Sequence, residues 1–168
     1  MSSLADVFRV LNRMRDEGIV SQYAIGGATA VLFYAEPTRT YDLDVFVAFD
    51  VGGGDDLVSL SAVYEWARAQ GYGLQAEHLM IEGVPVQFLP AFNALVETAL
   101  STARVHDYDG VPVHVVGPEH LTALALQAGG PRRRERAWQL LQSGAVDRDR
   151  LVEILATHAI AVELPDDE

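Results

Sequence analysis

Cysteine is absent from this chain, and so is lysine. The first absence excludes disulfide frameworks, cysteine-ligated zinc and thiol nucleophiles. The second excludes a Walker-type phosphate lysine, a Schiff-base lysine and a lysine general base. All 12 cationic side chains are arginine, so phosphate recognition would fall to the planar guanidinium fork. Positive charge is scarce as well. Twelve basic against 24 acidic side chains leave a formal charge of -12, which disfavours coating nucleic acid by bulk electrostatics. No apolar run reaches about 18 residues, which argues against a membrane span. The first residues lack the basic start and small-residue cleavage site of a secretory signal. The expectation is a soluble, cytoplasmic protein. The five histidines show no His-x-His or His-Glu-x-x-His spacing, which argues against a histidine metal site. Ser59, Ser61 and Ser101 lack the Gly-x-Ser-x-Gly setting of a hydrolase nucleophile.

What is present is enough apolar surface for a real core. The 168 residues are 49% hydrophobic, which suits one domain with at most a small helical appendage. Leu4, Val7, Phe8, Leu11 and Met14 recur at helical spacing, with Gly18 as a stop. Strands are expected over 20–25 and 41–49, with a buried helix over 27–35 between them, ended by Pro37. The 41–49 strand is apolar on both faces after its first turn, as in the centre of a sheet covered on both sides. The loop Gly52–Asp56 leads to a helix over 57–70. Strands over 74–81 and 84–89 meet at Glu82-Gly83, and a second hairpin turns at Asp109-Gly110 into Val111–Val116. Asn93 caps a helix to about residue 102. Beyond Pro118 the pattern is helical only, with starts at Pro118, Pro131 and Asp147. The expected fold class is α/β (α+β): a mixed sheet with flanking helices over 1–117, a helical C-terminal region over 118–162 packed on it, and an acidic tail over 163–168.

Chemistry concentrates between Tyr23 and Val47. Gly26-Gly27 lies between a strand and a helix, where a bare backbone can approach a ligand. Asp42 and Asp44 flank Leu43, so strand alternation aims both carboxylates the same way, roughly 6.6 Å apart at the backbone. Such a pair can converge on Mg²⁺, with Mn²⁺ as a substitute; without a cation the two repel and one tends to stay protonated. Thr29, one turn into the helix, could add a hydroxyl to bound phosphates, and of Thr38, Arg39 and Thr40, which come shortly before the aspartates, Arg39 could neutralise a phosphate oxygen. Plainer readings stand next to these: a glycine pair can be only a turn, an Asp-x-Asp can be solvated or capping, and Arg39 can simply pair with Asp42. The arginines at 132–136 can contact a nucleic-acid backbone or form a solvated helix start, and the second is preferred.

Gly26-Gly27 and the segment Thr40-Tyr-Asp-Leu-Asp-Val-Phe-Val47 resemble the glycine-pair and Asp-x-Asp signature of the nucleotidyltransferase superfamily with the polymerase-β-like fold. Val84–Pro90 and Pro118–Gly129 look like later segments of a small bacterial group related to the AbiEii toxin and minimal nucleotidyltransferases. The resemblance implies that Asp42 and Asp44 are catalytic and bind Mg²⁺, and that Gly26 and Gly27 hold a nucleoside triphosphate. It implies nucleotidyl transfer to an RNA, protein or small-molecule hydroxyl, with pyrophosphate leaving. The superfamily usually adds a third carboxylate from a neighbouring strand; Gln87 stands in the matching strand here, able to ligate through its carbonyl oxygen but not to take a proton. Glu77, Glu82 and Glu97 are the substitutes the sequence offers. In place of a lysine and a Gly-Arg-x-Lys-Asp pattern the helical part has Ala125 and Gly129-Gly-Pro-Arg-Arg133, with Arg132 as a replacement cation. The alternative implied is a weakened or inactive nucleotide-binding or regulatory module, within a toxin–antitoxin pair.

Overall fold

A computed structural model describes residues 4–35, 42–49, 56–75 and 78–164, with no side-chain description for 56–59. The described elements, in chain order, are α1 (Leu4–Asp16), β1 (Gln22–Gly26), α2 (Gly27–Val31), β2 (Leu43–Ala48), α3 (Asp56–Ala69), β3 (Gly73–Gln75), β4 (His78–Ile81) and β5 (Val84–Pro90). They continue with α4 (Ala94–Ser101), β6 (Arg104–Tyr108), β7 (Val111–Val115), α5 (Pro118–Ala128), α6 (Pro131–Gln142) and α7 (Arg148–Thr157). The strands form one seven-stranded sheet in the order β3-β4-β5-β2-β1-β7-β6. β1 pairs antiparallel with β2 and parallel with β7, and β2 pairs parallel with β5, so the sheet is mixed.

β2 is the middle strand of the seven. Leu43, Val45 and Val47 share one face and are fully buried, while on the other face Phe46 is buried and Asp44 and Ala48 are partly exposed. The β4–β5 and β6–β7 hairpins turn at Glu82-Gly83 and Asp109-Gly110. All four central residues have positive φ: 51° and 80° in the first turn, 53° and 83° in the second. That is the type I′ conformation matching the twist of the flanking strands. α1 buries Val7, Phe8, Leu11 and Met14 against the same core that contains Tyr23 and Ile25 of β1. Asn93 caps α4 by accepting from the Val96 amide at 2.9 Å, and Asp147 caps α7 by accepting from the amides of Asp149 and Arg150. Leu121 of α5 and Leu140 of α6 belong to the main core. Leu95, Ala123, Leu151 and Leu155 form a second, smaller cluster. α5 thus has one foot in each.

Three local expectations change. The helix expected over 27–35 stops at Val31, after which Leu32, Phe33 and Tyr34 make i→i−3 turns. The Tyr34 hydroxyl, anchored on the Val116 carbonyl at 2.9 Å, pulls the chain towards β7 instead. The run 74–81 is not one strand: β3 and β4 pair antiparallel with Gln75 opposite His78. Lastly, the described part of this strand begins at Leu43; Asp42 before it is a bend whose carbonyl accepts the Thr29 hydroxyl at 3.3 Å, and residue 41 lies outside the described residues. Pro37, Gly52–Gly54 and Asp55 lie outside the described residues. Among those that are described, no helix is long and apolar enough to cross a membrane.

Candidate active site

The site is built at the end of β1, where chain geometry leaves no room for side chains. Gly26 is extended (φ -123°), and a Cβ there would run into the Phe46 ring, 2.9 Å from Cδ2. Gly27 has φ +61°, the left-handed region that costs an L-residue about 1–2 kcal/mol. A Cβ on Gly27 would collide with the Asp44 carboxylate and lie 3.1 Å from its Cγ. One glycine therefore admits an aromatic ring and the next admits a carboxylate. α2 is only five residues long, too short for its dipole to dominate, so an anion here would rely on bare backbone and on cations. Thr29, 2% exposed, spends its hydroxyl on the Asp42 carbonyl. It pins the entry to β2.

Asp44 sits inside the ladder, with Gly26 opposite on β1 and Gln87 opposite on β5. Burial pushes its carboxyl above the usual range, and the Asp42 charge adds to that; Arg136, His78 and Arg133 pull the other way. Asp42 lies just before the strand with its side chain 47% exposed, and its Oδ2 is 3.2 Å from Nε2 of His78. The two carboxylates are close enough for the Asp42 charge to act on Asp44.

Facing Asp44 is a cavity of about 460 Å³ lined by Gly27 and Asp44, by Phe46 and Leu89 of the sheet, by Leu121 and Leu124 of α5, and by Arg133 and Arg136 of α6. Arg133, Arg136, Ala137 and Leu140 follow i, i+3, i+4, i+7 spacing. The turn that buries Ala137 and Leu140 thereby carries the two guanidiniums to the cavity. Burial lowers the Arg136 pKa, and the Asp44 charge partly offsets this. Phe92, 63% exposed, stands at the cavity mouth with Asn93. The volume is that of a small-molecule site, and its mix of apolar walls with a few convergent charges is typical of one.

The sequence candidates divide. Gly26, Gly27, Asp42, Asp44 and Gln87 converge, and Thr29 supports them. Thr38, Arg39 and Thr40 lie outside the described residues, as does Glu77. Glu82 is at a hairpin turn accepting the Tyr72 hydroxyl, and Glu97 is exposed in the first turn of α4, so neither stands in for a third acid. Arg132 is exposed and off the cavity wall; Arg133 and Arg136 occupy it. The solvated reading preferred for the arginine run fits Arg132 and Arg134 but not Arg136. Sequence reasoning also missed His78, whose signal was in the β4–β5 register. One step beyond the Leu79–Val86 pair brings His78 beside Gln87, which is beside Asp44.

Among the described residues no three His, Cys, Asp or Glu side chains converge as a complete metal cage. The donors are two carboxylates and the Gln87 amide, all hard oxygens. They suit a divalent cation such as Mg²⁺ that keeps waters and substrate oxygens in its shell. The tight cradle at Gly27, which leaves the Asp44 carboxylate uncovered by any side chain there, fits that donor set.

No protein-family model matches the chain, and no curated protein matches it in sequence. Solved structures do match. A nucleotidyltransferase-like antigenic protein from Paracoccidioides brasiliensis superposes with TM-score 0.60 at 15% identity, covering 93% of this chain and 87% of that one. The antibiotic-resistance factor ANT(2'')-Ia superposes in its solution structure with TM-score 0.55 at 14% identity, over 95% and 93% of the two chains. Its crystal structure with adenylyl-2''-tobramycin gives 0.54 at 15% identity, over 93% and 97%. With glycine turn, carboxylate strand and helical wall in this arrangement, the chain has a nucleotidyltransferase-like fold.

Proposed function

We propose that the chain is a Mg²⁺-dependent nucleotidyltransferase that moves a nucleotidyl group from a nucleoside triphosphate to a hydroxyl on an RNA, a protein or a small molecule. The observation that carries this reading is the cavity itself. The Asp44 carboxylate and the Arg133 and Arg136 guanidiniums line it together, beside a glycine with no side chain. A cation-bound triphosphate needs an anionic face and a cationic face about one phosphate chain apart.

Asp42 and Asp44 would hold Mg²⁺, or Mn²⁺ in its place, which lowers the acceptor's pKa and neutralises charge on the leaving oxygens. The backbone of Gly26 and Gly27 would lie against the phosphates, Arg133 and Arg136 would bind their outer oxygens, and Gln87 would offer its amide oxygen. Thr38, Arg39 and Thr40, separated from Asp42 by Tyr41 in the sequence, complete the proposed nucleotide-binding set. Phe92 and Leu124 give a base an apolar surface. The acceptor oxygen forms a bond to the α-phosphorus as the bond from that phosphorus to the bridging oxygen breaks. Pyrophosphate leaves and the acceptor proton passes to water. A small-molecule acceptor accords with the adenylyl-tobramycin bound by one structural neighbour. The AbiEii-related kinship, a toxin–antitoxin setting and a cytoplasmic location rest on the sequence alone.

The test is label transfer. α-³²P-labelled triphosphates are incubated with protein, Mg²⁺ and acceptors: bulk RNA, the protein itself and hydroxylated small molecules. Label in a product, lost in Asp44→Ala, supports the reading. One observation favours a second: Gln87 stands where an acid would complete the set, and the described residues supply no other. On that reading the chain is a nucleotide-binding or regulatory module, and magnesium-dependent binding persists with no transfer to any acceptor.

A further inference from the structure

The contact between His78 and Asp42 has no counterpart in the sequence signature and connects two strands that are not neighbours. β4 and β2 are separated by β5, yet Nε2 of His78 reaches Oδ2 of Asp42 at 3.2 Å. Three features allow this. The β4–β5 register brings His78 level with Gln87, one row from Asp44. Side chains level across adjacent strands share a face, so His78 points to the side of the sheet that carries the Asp44 carboxylate. Asp42 precedes the ladder, with its carbonyl accepting the Thr29 hydroxyl, so its side chain is not fixed by the alternation of β2. The imidazole is 23% exposed against 47% for the Asp42 side chain, so His78 is the more buried partner.

We propose that His78 is a positioning residue for Asp42: an N–H at Nε2 donates to Oδ2 and sets the orientation of the carboxylate that shares a cation with Asp44. This rests on the reading of Asp42 and Asp44 as a divalent-metal site. A hydrogen bond to one carboxylate oxygen narrows the set of rotamers that an aspartate samples. Each rotamer fixed in advance is freedom the metal does not have to remove. With Gln87 in place of a third acid, the site has one fewer negative charge to attract the ion, and orientation of the remaining two matters more. Imidazole–carboxylate contacts beside metal ligands typically change affinity by about 10–100-fold when removed.

Mn²⁺ binding, followed by loss of the free-ion signal in electron paramagnetic resonance, tests this without any acceptor or turnover. Wild type, His78→Ala, His78→Gln, Asp42→Asn and the double variant Asp42→Asn/His78→Ala are titrated with MnCl₂, and each is checked for an unchanged thermal unfolding midpoint. The expected result is a loss of about tenfold or more in His78→Ala. Substantial recovery is expected in His78→Gln, which keeps an N–H donor, with no further loss on adding His78→Ala to Asp42→Asn. Binding by His78→Ala within twofold of wild type overturns the proposal. So does an equal loss from His78→Ala with and without the Asp42 carboxylate, which makes the imidazole a ligand in its own right. A wild type that binds no Mn²⁺ overturns the metal reading beneath it, and the two failures are told apart by the wild-type titration.

Discussion

Gly27 and Asp44 share a space that admits only one side chain. The Gly27 backbone has φ +61°, and a Cβ added there would lie 3.2 Å from Cβ and 3.1 Å from Cγ of Asp44. Gly27→Ala therefore meets two obstacles, backbone strain of about 1–2 kcal/mol and collision with a carboxylate already confined by the ladder. Urea denaturation should show destabilisation of at least that size. In an Asp44→Ala background the collision with the carboxylate is gone while the 3.2 Å approach of the two Cβ atoms remains, so the same substitution should cost less than it does beside Asp44. A double-mutant cycle with no coupling between positions 27 and 44 would contradict the contact.

Asp44→Asn should make the metal-free protein more stable at neutral pH while removing magnesium-dependent nucleotide binding. Burial and the Asp42 charge hold the Asp44 carboxyl above 3.8 in the folded state. Between 3.8 and that raised value the native state binds more protons than the unfolded one, so this group's contribution falls as pH rises through the window and stays unfavourable above it. The amide keeps the shape without the charge, and the difference between wild type and variant should shrink as pH is lowered towards 3.8. A destabilised variant at neutral pH would contradict this account of the strand.

His120 gives the opposite sign. It is 3% exposed at the start of α5; the charges of Arg150 on α7 and of His158 just beyond that helix act on its ring, and its Nε2 has no hydrogen-bond partner. Burial first, then those charges, push its pKa down from 6.5 to about 4. Between those values the unfolded chain binds the extra proton, so stability falls as pH falls through the window, by at most about 1.4 kcal/mol per pH unit. Replacing His120 by Gln should flatten that slope between pH 6.5 and 4 in a series of denaturant midpoints.

Arg136→Met, which keeps the apolar stem, should weaken triphosphate binding about 10–100-fold, the range of a lost hydrogen bond to a charged group. Arg132→Met, on the exposed side of the same helix, should leave it within about twofold. Equal losses from both would mean that the arginine run acts only as diffuse charge. Calorimetric titration with a nucleoside triphosphate and Mg²⁺ separates the two outcomes.

Much of this architecture is legible in the sequence, because glycine, proline and short polar caps carry local instructions. Asn93, Asp147, Pro118 and the two positive-φ hairpin turns lie where their chemistry puts them. The middle position of β2 follows from its run of buried apolar residues. Long-range pairings were not legible. Nothing local in Gln75-Ala-Glu-His78 announces a turn, so β3 and β4 read as one strand. The stop after Val31 depends on Tyr34 finding the Val116 carbonyl 82 residues away. At the site, Gly26, Gly27, Asp42 and Asp44 could be found because they lie within one short stretch of sequence, and Gln87 because the family resemblance pointed to its strand. His78 and Arg136 arrive from a hairpin and a helix, and only register and helical phase bring them there.

The central claim is that the cavity between Asp44 and α6 binds a nucleoside triphosphate through a divalent cation. Isothermal titration of the wild type with each of the four ribonucleoside triphosphates, with and without Mg²⁺, tests it most directly. The account predicts magnesium-dependent binding of at least one of them, abolished in Asp42→Ala/Asp44→Ala. No binding of any, or binding that persists unchanged in that double variant, would contradict it.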